Sequence, residues 1–328
     1  MNSTVFKAFN SELVHMILLD PIVKGADKLI IVSGYATNNM ASWHIKKICD
    51  QSMPHSVSIE LLVGMCPSSG LDIDVHEGFK SLVESSDETM SSLCCKYIYN
   101  GYSVHSKVYI WLKGQEPIIA FTGSANYTQS GFGAKRREYM VPCDHKMAYQ
   151  YYLGLDKDSI YCNHAEVEEY VKFTKKGIVK KLEEDNKDSA SVQGLNKKTL
   201  SLLTKFGDVG HGSGINWGHR RDGTKRDPNQ TYIPLPRAIA KTGYFPLDEQ
   251  HFTVITDDHK QLILRVEQEG DKAITTPMSN SLLGEYFRNR IGVASGAFVT
   301  KDDLEKYGRT DVTFYKIDEE QFYMDFSV

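Results

Sequence analysis

The chain has 328 residues, of which 41% are hydrophobic and 24% charged, with a formal net charge of −4. That length suggests about two domains with packed cores, and the absence of repeats or biased tracts excludes a fibrous or low-complexity chain. No apolar run approaches about eighteen residues, and the start lacks a basic segment followed by an apolar one, so a cytoplasmic protein with no membrane partner and no signal peptide is expected.

In the first half, Lys28–Ser33, Val57–Val63, Cys94–Tyr99, Tyr102–Trp111, Ile118–Thr122 and Glu138–Val141 read as strands alternating with helical segments. That order predicts an α/β domain over residues 1–180 with a central sheet. Met40–Cys49 has amphipathic helical spacing, and Ala165–Lys176 reads as a closing helix. The polar, charged run Lys181–Ser191 predicts a linker over 181–199. Beyond it, Thr231–Leu235, Phe252–Ile255, Gln261–Glu267, Val312–Ile317 and Gln321–Phe326 predict a mostly β, barrel-like domain over 200–328. The six cysteines show no disulfide-framework spacing and are expected reduced.

The most informative pattern is His105-x-Lys107 followed by Gly123-Ser124-x-Asn126. Period-two alternation places His105 and Lys107 on one face of a strand and Val104, Ser106, Val108 and Ile110 on the other, so an imidazole and an ammonium share a cleft. The next strand ends in Gly123-Ser-Ala-Asn126, where small residues let an anion approach the backbone. His44-Ile-Lys46 also fits the triplet, but it lies in the amphipathic segment without a Gly-Ser-x-Asn turn and is expected to be only a helix surface.

His105-Ser-Lys107 with Gly123-Ser-Ala-Asn126 resembles the phospholipase D superfamily signature, which implies phosphodiester cleavage through a histidine. The fuller pattern has an Asp five residues after the Lys, where this chain has Leu112, and that departure argues against the lipid-hydrolysing branch. In the nuclease branch a Glu shortly after the Asn orients a histidine, and Glu138 stands in that place. The alternative for Glu138 is an ion pair with Arg136 or Arg137. Only one signature is present, whereas a nucleophile and a leaving-group acid are both needed. A twofold homodimer pairing His105 with the same residue of a second copy would supply both. Lys107 and Asn126 would then neutralise the non-bridging oxygens, so no metal and no other cofactor are expected.

Residues 201–241 hold seven Lys or Arg against three Asp. Within them, Gly212–Asp222 is a Gly-punctuated loop carrying Asn216, Trp217, His219, Arg220, Arg221 and Asp222, followed by Lys225 and Arg226. Arg, Asn and Asp can address base edges, so the loop suits DNA, the alternative being a solvated basic loop. A second polar cluster, with Ser279 and Asn280, precedes the helical spacing of Leu282–Arg290. The segments S-G-I-N-W-G and L-L-G-E-Y-F-R-N-R, with Tyr232–Pro236 between them, resemble the C-terminal domain of NgoFVII-like restriction endonucleases and, more distantly, of BfiI-like enzymes. The resemblance implies an α/β phospholipase D-like nuclease domain followed by a β pseudobarrel related to the plant-type DNA-binding domain.

Together these readings imply a metal-independent type II restriction endonuclease that cuts double-stranded DNA at a short site through a phosphohistidine, using His105, Lys107, Ser124, Asn126 and Glu138. Its implied partners are duplex DNA, a second copy of the chain, a cognate DNA methyltransferase of a restriction-modification system and, as in some similar enzymes, an ATPase. Two alternatives stay open: a phosphodiesterase acting on single-stranded nucleic acid or phospholipid, and a DNA-binding protein with a relic catalytic fold.

Overall fold

A computed structural model describes residues 9–51, 55–85, 91–176, 196–220 and 225–328. The chain divides into two units, the first ending at Lys175 and the second beginning at Lys176. Residues 181–195 of the expected linker lie outside the described residues, and Lys197–Thr199, placed in it by sequence, already belong to a strand.

The first unit contains strands β1 (Lys28–Ser33), β2 (Val57–Val63), β3 (Leu71–Asp72), β4 (Ser91–Ile98), β5 (Lys107–Lys113), β6 (Glu116–Gly123), β7 (Met140–Cys143), β8 (Ser159–Tyr161) and β9 (Phe173–Thr174). Seven of them form one sheet in the order β7-β6-β5-β1-β2-β4-β8. Its centre, β1, β2 and β4, is parallel, and β5, β6, β7 and β8 join antiparallel. Ile30 and Val32 bury against Ala148 and Tyr152 of the helix His145–Asp156, while Leu29 and Ile31 are buried too. Both faces of β1 are therefore covered, which is why its sequence is a continuous apolar run. The helix Asn38–Asp50 is capped by Thr37, whose side chain accepts from Met40 N at 3.3 Å, and it packs on the helix Ile73–Ser85 and on β4.

Two expectations are corrected here. Ala165–Lys176 is not one helix: only Val167–Tyr170 is helical, after which the chain extends and Phe173–Thr174 pair in parallel with Leu71–Asp72. Val171, Phe173 and Thr174 are β-branched or aromatic and favour the extended form. His44 is not on a helix surface but fully buried, bonded to Tyr127 Oη at 2.9 Å and Leu18 O at 3.2 Å. Burial lowers its pKa to about 4, against the opposing pull of the Leu18 carbonyl, so it is a neutral core histidine.

The second unit contains β10 (Lys197–Ser201), β11 (Ile233–Pro234), β12 (His251–Thr256), β13 (Gln261–Glu267), β14 (Ala273–Thr275), β15 (Asp311–Lys316) and β16 (Gln321–Asp325). They form a second sheet, β10-β15-β16-β12-β13-β14-β11, whose end strands β10 and β11 return to one another, giving a nearly closed barrel. Its core is aromatic, with Phe245 within 5.1–5.7 Å of Phe252, Phe314 and Phe322 between ring centroids. The strand expected over Thr231–Leu235 shortens to Ile233–Pro234, since Pro234 and Pro236 lack the N–H a longer ladder needs.

A half-buried ionic cluster braces the first sheet. Glu60 on β2 accepts from Lys28 and Lys96, each at 2.6 Å, and from the Tyr152 hydroxyl, while Lys96 also reaches Asp156 at 2.7 Å. Burial alone would raise the Glu60 pKa, but these donors outweigh it and bring it from 4.5 down to about 2. A carboxylate depressed in the folded state stabilises fully above its unfolded pKa and loses that effect as pH falls through the folded one. In urea melts, the deficit of Glu60→Gln relative to wild type should be complete above pH 4.5 and shrink towards pH 2; a deficit independent of pH would contradict this role.

Candidate active site and DNA-facing loops

The carboxyl ends of β1 and β2 set the geometry of the first site. The ladder continues beyond β2, where Gly64 N donates to Ser33 O at 2.8 Å and Val104 N donates to Gly64 O at 2.9 Å. The chain entering β5 is thereby pressed against two glycines. A Cβ on Gly64 would lie 2.1 Å from Val104 O, and one on Gly34 would lie 3.0 Å from His105 Cδ2. Gly64 has no space for a side chain, and at Gly34 one would crowd the imidazole.

His105 is exposed and stands two residues before the start of β5; Lys107, first in the strand, is buried. Lys107 Nζ lies 3.1 Å from His105 Nε2 and donates to His105 O at 2.6 Å. The strand expected over Tyr102–Trp111 begins only at Lys107, so His105 lies in the irregular stretch before it, while Val104 and Val108 are buried in the cluster beneath the helix His145–Asp156. Burial lowers the Lys107 pKa, an effect that the charge of Glu138 opposes.

The turn after β6 completes the cluster. Ser124 Oγ donates to Glu138 Oε2 and accepts from Tyr139 N at 3.0 Å. Glu138 therefore has a hydroxyl partner, and within one chain it bonds Ser124 rather than His105. Asn126 Oδ1 accepts from Tyr35 N at 3.1 Å and lies 3.4 Å from Ser33 Oγ, which fixes the amide with its NH2 end turned away from both donors. Ser33 Oγ also donates to Tyr35 O at 2.6 Å and accepts from Tyr127 N at 2.9 Å, and the Tyr35 ring meets His105 edge-on at 5.9 Å. Ser33, Gly34, Tyr35 and Gly64 escaped the sequence reading. Their signal was position, since sites in open α/β sheets lie beyond the carboxyl ends of strands. Lys135, Arg136 and Arg137 are exposed just before Glu138 and add positive charge beside the site.

In the second unit the expected DNA residues separate into two kinds. Asn216 is fully buried, donating to Val299 O at 2.8 Å and accepting from Val299 N at 2.9 Å, so its amide is spent on backbone and is not available to bases. His219 is half-buried, its ring edge-on to Phe298 at 5.5 Å, and burial lowers its pKa. By contrast, Arg220, Lys225 and Ser279 are exposed, Asn280 is half-buried, and the Arg226 guanidinium lies 4.6 Å over the half-buried Trp217 ring. Arg221 and Asp222 lie outside the described residues. Thr231 N donates to Asn280 O and Gly218 N to Gln230 O, which brings these loops together. Arg288, on the helix Ser281–Ile291, is fully buried and donates to Ala297 O, Gly284 O and Pro228 O, pinning the segments behind the loops. Gly284 is obligatory here, since a Cβ would fall 1.7 Å from Asn229 O.

Residues 11–169 match the family model described as the NgoFVII restriction endonuclease N-terminal PLD domain, and residues 190–318 match the NgoFVII C-terminal B3-like DNA-binding domain. The chain belongs to the NgoFVII restriction endonuclease family. Among solved structures, NucT from Helicobacter pylori is similar at 15% identity, with 47% of this chain and 95% of that one covered and a TM-score of 0.29. No curated protein matches the sequence. In this NgoFVII-family chain the phospholipase D-type nuclease domain carries His105, Lys107, Ser124, Asn126 and Glu138 together, and the DNA-binding domain presents the exposed basic loops. No helix among the described residues is long and apolar enough to cross a membrane.

The two kinds of loop residue should behave differently. Asn216→Ala leaves the Val299 N–H and C=O buried without partners and should cost about 2–4 kcal/mol of stability. Arg220→Ala should leave the melting temperature within about 1 °C and weaken DNA binding instead. Calorimetry with fluorescence anisotropy on a DNA duplex checks the pair; an Asn216→Ala protein as stable as wild type would return Asn216 to the base-reading candidates.

Proposed function

We propose that this family member is a type II restriction endonuclease that recognises a short duplex sequence through its second domain and cleaves phosphodiesters through a phosphohistidine, without a metal in the reaction. The observation that carries the proposal is the Lys107–His105 contact at 3.1 Å, which sets an exposed imidazole nitrogen beside a buried lysine amine. His105 Nε2 attacks phosphorus, a P–N bond forms, and the P–O bond to the leaving deoxyribose oxygen breaks. That oxygen takes its proton from a second imidazole. Water then attacks phosphorus, gives a proton to that second imidazole, and the P–N bond breaks to regenerate His105.

The second imidazole is His105 of another copy, in a twofold dimer with one composite site. Lys107 and the oriented Asn126 amide from both copies stabilise the equatorial oxygens, the electrostatic task assigned to metal ions in other nucleases. Glu138, bonded to Ser124 in the single chain, has the task in this reading of orienting the imidazole that receives the proton. Arg220, Lys225, Arg226, Ser279 and Asn280 are the DNA contacts retained from the sequence reading, phosphate and base contacts together. In its own cell such an activity requires a cognate DNA methyltransferase to protect host sites.

Incubated with a panel of unmethylated plasmids in EDTA, the wild type should give discrete fragments. His105→Ala should lose at least about a thousandfold in rate while retaining duplex binding. Cleavage that appears only with Mg²⁺ would overturn the phosphohistidine reading. Because one composite site holds one strand at a time, nicked circles should precede linear product; a time course with no nicked phase would contradict the single site.

A further inference from the structure

The side chain of His76, on the helix Ile73–Ser85, is fully buried, yet its Nε2 has no hydrogen-bond partner. Its Nδ1 lies 3.0 Å from the Tyr97 hydroxyl, and its ring is held between Tyr97 at 5.7 Å and Phe173 at 4.3 Å. The unpartnered nitrogen faces two carboxylates: Glu77 on the same helix, with Oε1 at 3.8 Å, and Glu168 on the helical turn Val167–Tyr170. One ligand atom from each of the three residues lies within 4.8 Å of the others.

Neither neutral tautomer suits this arrangement alone. With the proton on Nδ1, shared with Tyr97, a buried lone pair at Nε2 points towards two negative charges. With the proton on Nε2, the donor finds its nearest carboxylate oxygen too far for a hydrogen bond. A cation would accept the lone pair and neutralise both carboxylates at once. Lys80, whose Nζ is 3.3 Å from Glu77 Oε1, neutralises only part of that charge and does not reach the imidazole by any contact seen here.

We propose that His76, Glu77 and Glu168 form a binding site for one divalent transition-metal ion of the Zn²⁺ class. An imidazole with two carboxylates is a donor set for such ions, and Tyr97 on Nδ1 is the outer partner that fixes the tautomer. Tetrahedral bonds of about 2.0–2.2 Å bring ligand atoms to roughly 3.4 Å apart, so the site closes by adjusting the two exposed glutamate side chains while His76 stays fixed. The fourth position is open to water. His76 and Glu168 come from two separate helical segments, so the ion is structural: it ties the helix Ile73–Ser85 to the segment 167–174.

The test uses the full chain without a polyhistidine tag, stripped with chelator and returned to chelator-free buffer. Zn²⁺ is titrated by calorimetry, and Co²⁺ serves as the spectroscopic probe. One Zn²⁺ per chain with a micromolar or tighter Kd, Co²⁺ d–d absorption, and an unfolding temperature raised by about 5 °C at a hundredfold excess over Kd are expected. Glu77→Gln and Glu168→Gln, at exposed positions that should fold normally, should each weaken binding by at least about tenfold and reduce the thermal shift. Absence of binding to the wild type, or binding and thermal shift that neither substitution alters, would overturn the site.

Discussion

The arrangement of the first domain depends on the close passage of the chain at Val104–His105 over Gly34 and Gly64. Backbone hydrogen bonds from Val104 to Gly64 and from Gly64 to Ser33 leave no room for a Cβ at Gly64, and one at Gly34 would press on the His105 ring. Because β5 starts two residues later and pairs Lys107 with Ser33, the imidazole, the ammonium and the end of β1 converge. The same strand end supplies Ser33 Oγ and Tyr35 N to orient Asn126 from the turn after β6. Four segments far apart in sequence are thus registered by one extension of the sheet ladder, and a shift in that ladder would misplace every group together.

Electrostatics divides the work among these groups. Lys107 is buried and bonded to His105, so its charge is held in place and not spread over rotamers, as preorganised stabilisation of a phosphoryl transition state requires. Glu138 offsets part of the cost of that buried charge while engaging Ser124. One chain offers one exposed histidine in this cluster, and a displacement that proceeds through the enzyme needs an acid as well as a nucleophile. Recognition sits in a separate barrel, where buried Asn216 and Arg288 hold backbone segments in place and exposed Arg220 and Lys225 face solvent. That separation lets the exposed loops vary while the interior hydrogen bonds keep the barrel intact.

Much of the site was legible because its information is local. Alternation from Val104 to Ile110 predicted that His105 and Lys107 lie together, and they do, although the strand begins only at Lys107; the chain leaves β6 at Gly123, next to Ser124. The contributions of Gly34 and Gly64 were not legible, since a close approach between distant segments leaves no mark on either segment alone. His44 looked like a helix-surface residue and Asn216 like a base reader for the same reason: the partners that bury them, Leu18 and Tyr127 in one case and Val299 in the other, come from elsewhere in the chain. Ala165–Lys176 misled because its charged start has helical spacing, whereas Val171 to Thr174 favour the extended pairing with Leu71–Asp72.

The central claim is that two copies share one catalytic centre, and subunit mixing tests it most directly. After wild type and His105→Ala chains are exchanged in equal amounts, the DNA cleavage rate per total protein is measured against unmixed wild type. A composite site that needs His105 from both copies predicts about one quarter of the wild-type rate, because only dimers with two intact chains act. A rate of about one half, with each intact chain working regardless of its partner, would contradict the account.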